Sequence, residues 1–282
     1  MAQDSSFKRL LQDHPRDTLA ALAPDLETLL GVPADAQPIA TEALPLGLAQ
    51  RSRFMDVAIR YQWSSGHQAV ILLVEHWSRT RSMDLRRAAH YATDLLLRHP
   101  DAAVLPIMVL CDADARTTAD DRLTITVAHH PILDFRVRLI RIQSDLPPRL
   151  PGCTNPVLIV LSALLQDLPP VDRALRSLRL AVAISSKNAA RWLVLIEDFA
   201  TVAADETRRS LLHDRLRKDR HMASVIDMFH AEGKAEGHAE SIVQFARDGL
   251  IPRTVAAQRL RHLHDQGAIP ADLLAKALAE LG

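Results

Sequence analysis

The stretch VILLVEHWS, residues 70–78, constrains the fold more than any other part of the sequence. Five consecutive apolar residues run directly into Glu75, His76 and Trp77. A strand with one solvated face alternates apolar and polar residues, so an unbroken apolar run predicts a strand that is covered on both faces. Such a strand belongs inside a sheet flanked by helices, and this one carries a carboxylate at its carboxyl end.

The neighbouring segments predict an α/β fold for the first half of the chain. Hydrophobic patterns favour helices at residues 5–11, 16–30 and 83–98, and strands at residues 53–62, 68–77, 104–112 and 135–142. After Pro148 the strand patterns stop and only helical patterns follow. The sequence therefore predicts an α/β core in residues 1–150 and an all-helical region in residues 151–282, either as a second domain or as a helical layer over the sheet.

Composition excludes little but sets the compartment. The chain has 282 residues, and its 34 basic residues balance its 34 acidic residues, so any basic patch must be local. Cys111 and Cys153 have no CxxC spacing, which favours a reducing compartment. The N-terminal MAQDSSFKRL is polar, and every apolar run is shorter than a membrane span. We expect a cytoplasmic protein with no membrane partner.

Two acids are expected to meet at the end of the central strand. A two-residue turn at residues 65–66 places Asp56 directly opposite Glu75. The same register pairs three apolar residues of each strand, Val57 with Val74, Ile59 with Leu72 and Tyr61 with Val70. Opposed side chains lie about 5 Å apart, where like charges repel unless a cation or a proton intervenes. A divalent metal such as magnesium reconciles the pair most simply; solvation or pairing with Arg53, Arg60 or Arg79 is the alternative.

The order of several short motifs resembles a known nuclease family. A helix is followed by R-x-x-D, an apolar strand, V-E-x-x-S and a helix with R-x-x-x-Y; the matching residues are Arg53, Asp56, Val74, Glu75, Ser78, Arg87 and Tyr91. FKRLLQDHP (residues 7–15) and the Glu-Gly repeat AEGKAEGHAE (residues 231–240) complete the pattern. Together they resemble the recombination-promoting nuclease and transposase-like family of the PD-(D/E)XK nuclease superfamily.

The resemblance implies a restriction-endonuclease-like core, a mixed sheet flanked by helices, followed by an all-helical C-terminal region. It also implies that Asp56 and Glu75 hold Mg²⁺, with the backbone carbonyl of His76 as a third ligand, and that the metal activates water for cleavage of DNA. Four arginines are candidates for phosphate contacts, with a solvated surface as the alternative for each: Arg53, Arg79, Arg81 and Arg86.

Trp77 departs from the family pattern. The family usually has glutamine at this catalytic position and the wider superfamily has lysine, whereas indole has one donor and no charge. No lysine lies between Lys8 and Lys187 to replace it. Alternation along the strand puts Trp77 on the face of Glu75, where it fills the volume of the family's glutamine or stacks on a base. His76, a second choice as general base, points to the opposite face.

Three functions follow from these features. The first is a magnesium-dependent DNA endonuclease of the recombination-promoting, transposase-like type, with activity weakened by Trp77. The alternative is a catalytically inactive nuclease-fold module that binds DNA or protein, and the third is a helical interaction protein. Two stripes on the predicted tail helix recur every four residues: Glu232, Glu236 and Glu240 form one, and Gly233 and Gly237 form the other. The glycine stripe favours close approach of another helix, from this chain or from a second copy in a homo-oligomer. A flexible linker helix is the alternative there.

Overall fold

The computed structural model describes most of the chain. The described residues are 2–39, 56–64, 66, 68–77, 83–112, 120–220, 222–248 and 250–282. The chain forms two compact units. The first consists of Met1–Ile184 with Val194–Leu212, and the second consists of Ser185–Leu193 with His213–Gly282. The first unit therefore includes helices on both sides of residue 150, and the division into residues 1–150 and 151–282 stays a prediction.

The first unit contains a mixed five-stranded sheet. The strands of the chain are β1 (Asp35–Pro38), β2 (Val57–Gln62), β3 (Ala69–Trp77), β4 (Ala102–Leu110), β5 (Arg122–Val127), β6 (His130–Arg136) and β7 (Arg138–Arg141). The main sheet has the order β1-β2-β3-β4-β7, while β5 and β6 pair separately. The β1–β2 and β2–β3 pairs are antiparallel, and the β3–β4 and β4–β7 pairs are parallel. The predicted α/β fold is confirmed at this level.

The central strand β3 has the predicted register. Val57 lies opposite Val74, Ile59 opposite Leu72 and Tyr61 opposite Val70. Ile71, Leu72, Leu73 and Val74 are all fully buried, so both faces of β3 are covered. This burial explains why the strand lacks the alternation of a half-exposed strand. Residue 65 of the predicted turn, and residue 67 directly after it, lie outside the described residues.

Helices flank the sheet and follow it along the chain. They are α1 (Ala2–Asp13), α2 (Pro15–Leu22), α3 (Pro24–Leu30), α4 (Leu85–Arg98), α5 (Ile142–Asp145), α6 (Pro156–Leu161), α7 (Pro170–Ile184), α8 (Ser186–Phe199), α9 (Glu206–Lys218), α10 (Ala223–Arg247), α11 (Arg253–Asp265) and α12 (Ala271–Leu281). Among the described residues, every helix is too short or too polar to span a bilayer.

Helix α4 is anchored at both its start and its middle. The Asp84 carboxylate caps it by accepting from the amides of Arg86 (3.0 Å) and Arg87 (3.3 Å). Further along, Tyr91 and Leu95 pack in one apolar cluster with residues of β2, β3 and β4. The helix is therefore held against β3, and its first turn lies near the carboxyl end of that strand.

The strand predicted at residues 135–142 is divided between three elements. β6 ends at Arg136, β7 runs from Arg138 to Arg141, and α5 begins at Ile142. The break comes at Val137, whose amide bonds the Asp121 carbonyl (2.9 Å) instead of a β-ladder partner. An alternating apolar–Arg pattern indicates an extended chain, but it does not show where the chain changes sheets.

The second unit has its own apolar core. Residues of α10, α11 and α12 form one cluster, to which α10 contributes Ala235, Ala239, Val243 and Ala246. Gly233 and Gly237 lie off this face, and a Cβ added at either glycine would have no described atom within 4 Å. The close helix approach expected there is thus not found among the described residues of this chain. Approach by a second copy stays a prediction.

Substitution of these glycines separates the remaining alternatives. In an isolated chain, Gly233→Ala and Gly237→Ala should each raise the free energy of unfolding by about 1 kcal/mol, because alanine is the better helix former and has open space there. Gly267→Ala is the matched control: it also has open space, but its φ of +71° strains alanine, so stability should fall. Urea denaturation at two protein concentrations measures both effects. A concentration-dependent loss of stability on Gly233→Ala would instead indicate a second chain packed at this stripe.

Candidate functional site

The two predicted acids meet where β2 begins and β3 ends. Asp56 comes just before β2, and Glu75 lies near the carboxyl end of antiparallel β3. The Asp56 amide donates to Glu75 Oε1 (3.2 Å), and the His76 amide donates to Asp56 Oδ2 (2.8 Å). Each carboxylate thus accepts a hydrogen bond from a backbone amide at the end of the neighbouring strand. These reciprocal bonds hold the two acids together, as the sequence register predicts.

The Glu75 carboxyl is buried. Its side chain is 1% exposed, while that of Asp56 is 18% exposed. Burial raises the pKa of Glu75 to about 7, and the Asp56 charge raises it further, against the lowering effects of Arg87, the Asp56 amide and Lys8. Near neutral pH, Glu75 is therefore partly protonated although two cations lie nearby.

Arg87 connects Glu75 to two aromatic rings. Its Nη2 lies 3.0 Å from Glu75 Oε2, and its guanidinium lies 5.4 Å from the Trp77 ring centroid and 5.3 Å from that of Tyr91. Burial lowers the pKa of Arg87, but the charges of Glu75, Tyr91 and Asp56 raise it above its usual value. The guanidinium stays positive, and cation–π contacts on this scale are worth about 1 kcal/mol.

Trp77 lies on the face of Glu75, as strand alternation predicts. Its ring packs beside an apolar cluster that includes Ala88, Met108 and Leu110, and it forms a floor beneath Arg87. The indole therefore acts on Glu75 through Arg87, which it helps to place. Sequence reasoning did not assign this contact, although the motif residue Arg87 was named.

Lys8 is the site residue that the sequence did not reveal. It lies on α1, and its Nζ is 3.9 Å from Asp56 Oδ1. On the same helix, the Phe7 ring stacks on His76 with centroids 4.7 Å apart, and Asp4 Oδ1 lies 3.4 Å from His76 Nδ1. Residues at these i, i+3 and i+4 positions share one face of a helix. Only the packing of α1 on this end of β3 brings the lysine to the acids.

The His76 ring faces α1, away from Glu75. Its side chain is 2% exposed, and neither ring nitrogen has a hydrogen-bond partner among the described residues. The 3.4 Å contact with Asp4 is longer than a normal N–H···O bond. Burial lowers the pKa of His76 despite the opposing charges of Asp56 and Asp4. The ring packs against α1, and the peptide carbonyl of His76 is the group relevant to the predicted metal.

Of the four predicted phosphate-binding arginines, the structure describes Arg86. It is exposed in the first turn of α4, next to Arg87. Arg53, Arg79 and Arg81 lie outside the described residues, as does the motif residue Ser78. The predicted basic surface therefore has one described member.

The acid pair meets the modest needs of magnesium. No group of three or more His, Cys, Asp or Glu side chains suited to a metal occurs among the described residues. Magnesium, however, is commonly held by one or two carboxylates and keeps several waters. Two carboxylates held at one strand end supply hard oxygen donors, which fit that requirement.

Comparisons of the chain with protein-family models, curated proteins and solved structures found no match.

The raised pKa of Glu75 predicts a pH-dependent cost in stability. A carboxyl whose pKa is raised from 4.5 to about 7 on folding binds its proton more tightly in the folded state. The folded state therefore loses stability as the pH rises from 4.5 to about 7, by on the order of 3 kcal/mol. Glu75→Gln cannot titrate, so the stability of the wild type relative to this variant should fall across that window.

Urea denaturation of both proteins from pH 4 to pH 8 measures this difference. Asp56→Asn should narrow the pH range over which the stability falls, because the Asp56 charge is the second cause of the raised pKa of Glu75. A stability difference that rises with pH would mean that Lys8 and Arg87 outweigh burial and lower the pKa of Glu75, which would contradict a raised pKa at this carboxyl.

Proposed function

We propose that the chain is a magnesium-dependent DNA endonuclease of the recombination-promoting, transposase-like type within the PD-(D/E)XK superfamily, with weakened activity. The observation that carries the proposal is the pair of reciprocal hydrogen bonds joining Asp56 to the end of β3 at Glu75 and His76. A mixed sheet flanked by helices agrees with the core that the sequence motifs imply.

Asp56, Glu75 and the peptide carbonyl of His76 are the residues that would hold Mg²⁺. When bound, the ion supplies an activated water and stabilises charge on the phosphodiester. Asp56, the more exposed acid, lies on the side open to solvent, whereas Glu75 is enclosed. The site therefore offers an outer acid toward the substrate and an inner acid fixed by the protein.

Arg87 and Trp77 fix the inner acid. Arg87 holds Glu75 Oε2, while the Asp56 amide holds Oε1, so both oxygens have a defined partner. Glu75 retains a proton near neutral pH, and a carboxyl must lose its proton to act as a metal ligand. Metal affinity should consequently rise with pH through about 7.

DNA is the proposed partner. Arg86, exposed at the start of α4, contributes a phosphate contact beside the site. Arg53, Arg79 and Arg81 complete the proposed contacts from segments outside the described residues.

The weakened activity follows from Trp77. An uncharged indole engaged with Arg87 does not orient an attacking water as glutamine or lysine does. Trp77→Gln should therefore raise the magnesium-dependent nicking rate by about 10-fold. A well-placed hydrogen-bond donor is worth about 100-fold, but the variant also removes the ring on which Arg87 packs. Trp77→Phe, which keeps the floor without a donor, is the matched control and should stay at the wild-type rate. Equal rates for all three proteins would contradict this role.

Nicking of supercoiled plasmid tests the function itself. Purified wild-type protein should nick slowly with Mg²⁺ and not with EDTA, and Asp56→Ala should abolish the activity by removing the outer ligand. Asp56→Ala also serves as the blank for a contaminating nuclease. Nicking by Asp56→Ala that is as fast as nicking by the wild type, or nicking that is absent from both the wild type and Trp77→Gln, would refute the proposal.

A second function, DNA binding without cleavage, is favoured by a specific observation. Both acids already have cationic partners within the chain, Lys8 at Asp56 and Arg87 at Glu75. In that case DNA binding should persist in EDTA and in Asp56→Ala, with no nicking by any variant. Fluorescence anisotropy with a short duplex measures this directly.

A further inference from the structure

Helix α1 brings a positive charge to the acid pair. Lys8 Nζ lies 3.9 Å from Asp56 Oδ1, and the Lys8 charge also lowers the pKa of Glu75. Its side chain is 33% exposed, so Lys8 reaches solvent beside the acid pair. A single cation thus acts on both acids.

The position of Lys8 is set by packing. The preceding residue, Phe7, is fully buried and stacks on His76, which directly follows Glu75 in β3. Leu10 and Leu11, on the next turn of α1, are also fully buried. The helix therefore has a fixed position over the strand end, and Lys8 extends from a rigid element. Rigid placement is what a group acting on a reaction requires.

The Lys8 ammonium lies close to Asp56 without bonding it directly. At 3.9 Å the ammonium attracts the carboxylate but does not form a direct hydrogen bond with it, since such bonds are about 2.7–3.2 Å long. An ammonium has three donors and a full charge, the two properties that the indole at Trp77 lacks for this task. Lys8 is the only lysine in the first half of the sequence; the other four are Lys187, Lys218, Lys234 and Lys276.

We propose that Lys8 is a catalytic residue that contacts the scissile phosphodiester, supplying from α1 the positive charge that the strand position of Trp77 does not provide. This proposal rests on the proposed nuclease function. During hydrolysis a water oxygen bonds to phosphorus, the bond from phosphorus to the leaving sugar oxygen breaks, solvent accepts the water proton, and the leaving oxygen gains a proton from solvent. Lys8 keeps its proton and donates to a non-bridging phosphate oxygen as negative charge develops there.

Lys8→Met tests the contact with and without cleavage. In EDTA, the slope of the logarithm of the duplex-binding constant against the logarithm of the salt concentration should become less steep by about 0.9, which is the value of one phosphate contact. With Mg²⁺, the maximal nicking rate should fall about 100-fold, with a smaller change in the DNA concentration for half-maximal rate. Arg9→Met is the matched control, because Arg9 is the next residue of α1 and pairs with Asp13. It should change neither quantity.

The outcomes separate Lys8 from the function it serves. An unchanged salt slope in Lys8→Met, or nicking that is as fast as in the wild type, overturns the role of Lys8 alone. A lost slope together with no nicking by any protein supports the phosphate contact and overturns the nuclease function. No DNA binding by the wild type overturns both. Lys8→Gln, which keeps a polar side chain without the charge, should behave as Lys8→Met does and replaces it if the methionine variant fails to fold.

Discussion

The two hydrogen bonds between the start of β2 and the end of β3 are the interaction on which the site depends. The Asp56 amide donates to Glu75, and the His76 amide donates to Asp56, so each acid accepts from a different backbone amide, and both bonds require this strand register. A slip by one residue would turn Glu75 to the opposite face of the sheet and separate the pair. The apolar matching of β2 with β3 therefore fixes the position of the acid pair as well as the core.

Charge balance around this pair explains what the rest of the fold contributes. Lys8 from α1 and Arg87 from α4 approach the acids, yet burial still raises the pKa of Glu75 to about 7. Two cations are thus enough to tolerate the acids but not enough to keep both fully ionised near neutral pH. A divalent ion would complete the balance.

The sequence predicted the centre of the site better than its surroundings. The burial of β3 follows from its unbroken apolar run, and its register with β2 and the meeting of Asp56 with Glu75 follow from the expected short turn, so all three rest on local patterns. Lys8 could not be assigned in the same way, since its place beside Asp56 depends on how α1 packs over β3, and no spacing in the sequence encodes that contact. The break at Val137 was missed for a similar reason, because its partner Asp121 belongs to another segment.

The most direct test is to locate a bound ion. Crystals grown with Mn²⁺, which replaces Mg²⁺ and scatters anomalously, should show an anomalous peak between the carboxylates of Asp56 and Glu75, close to the His76 carbonyl. The same peak should be absent from Asp56→Asn crystals grown under identical conditions. A wild-type structure at saturating Mn²⁺ without that peak, with Lys8 still beside Asp56 and Arg87 still bound to Glu75, would contradict a metal-dependent site.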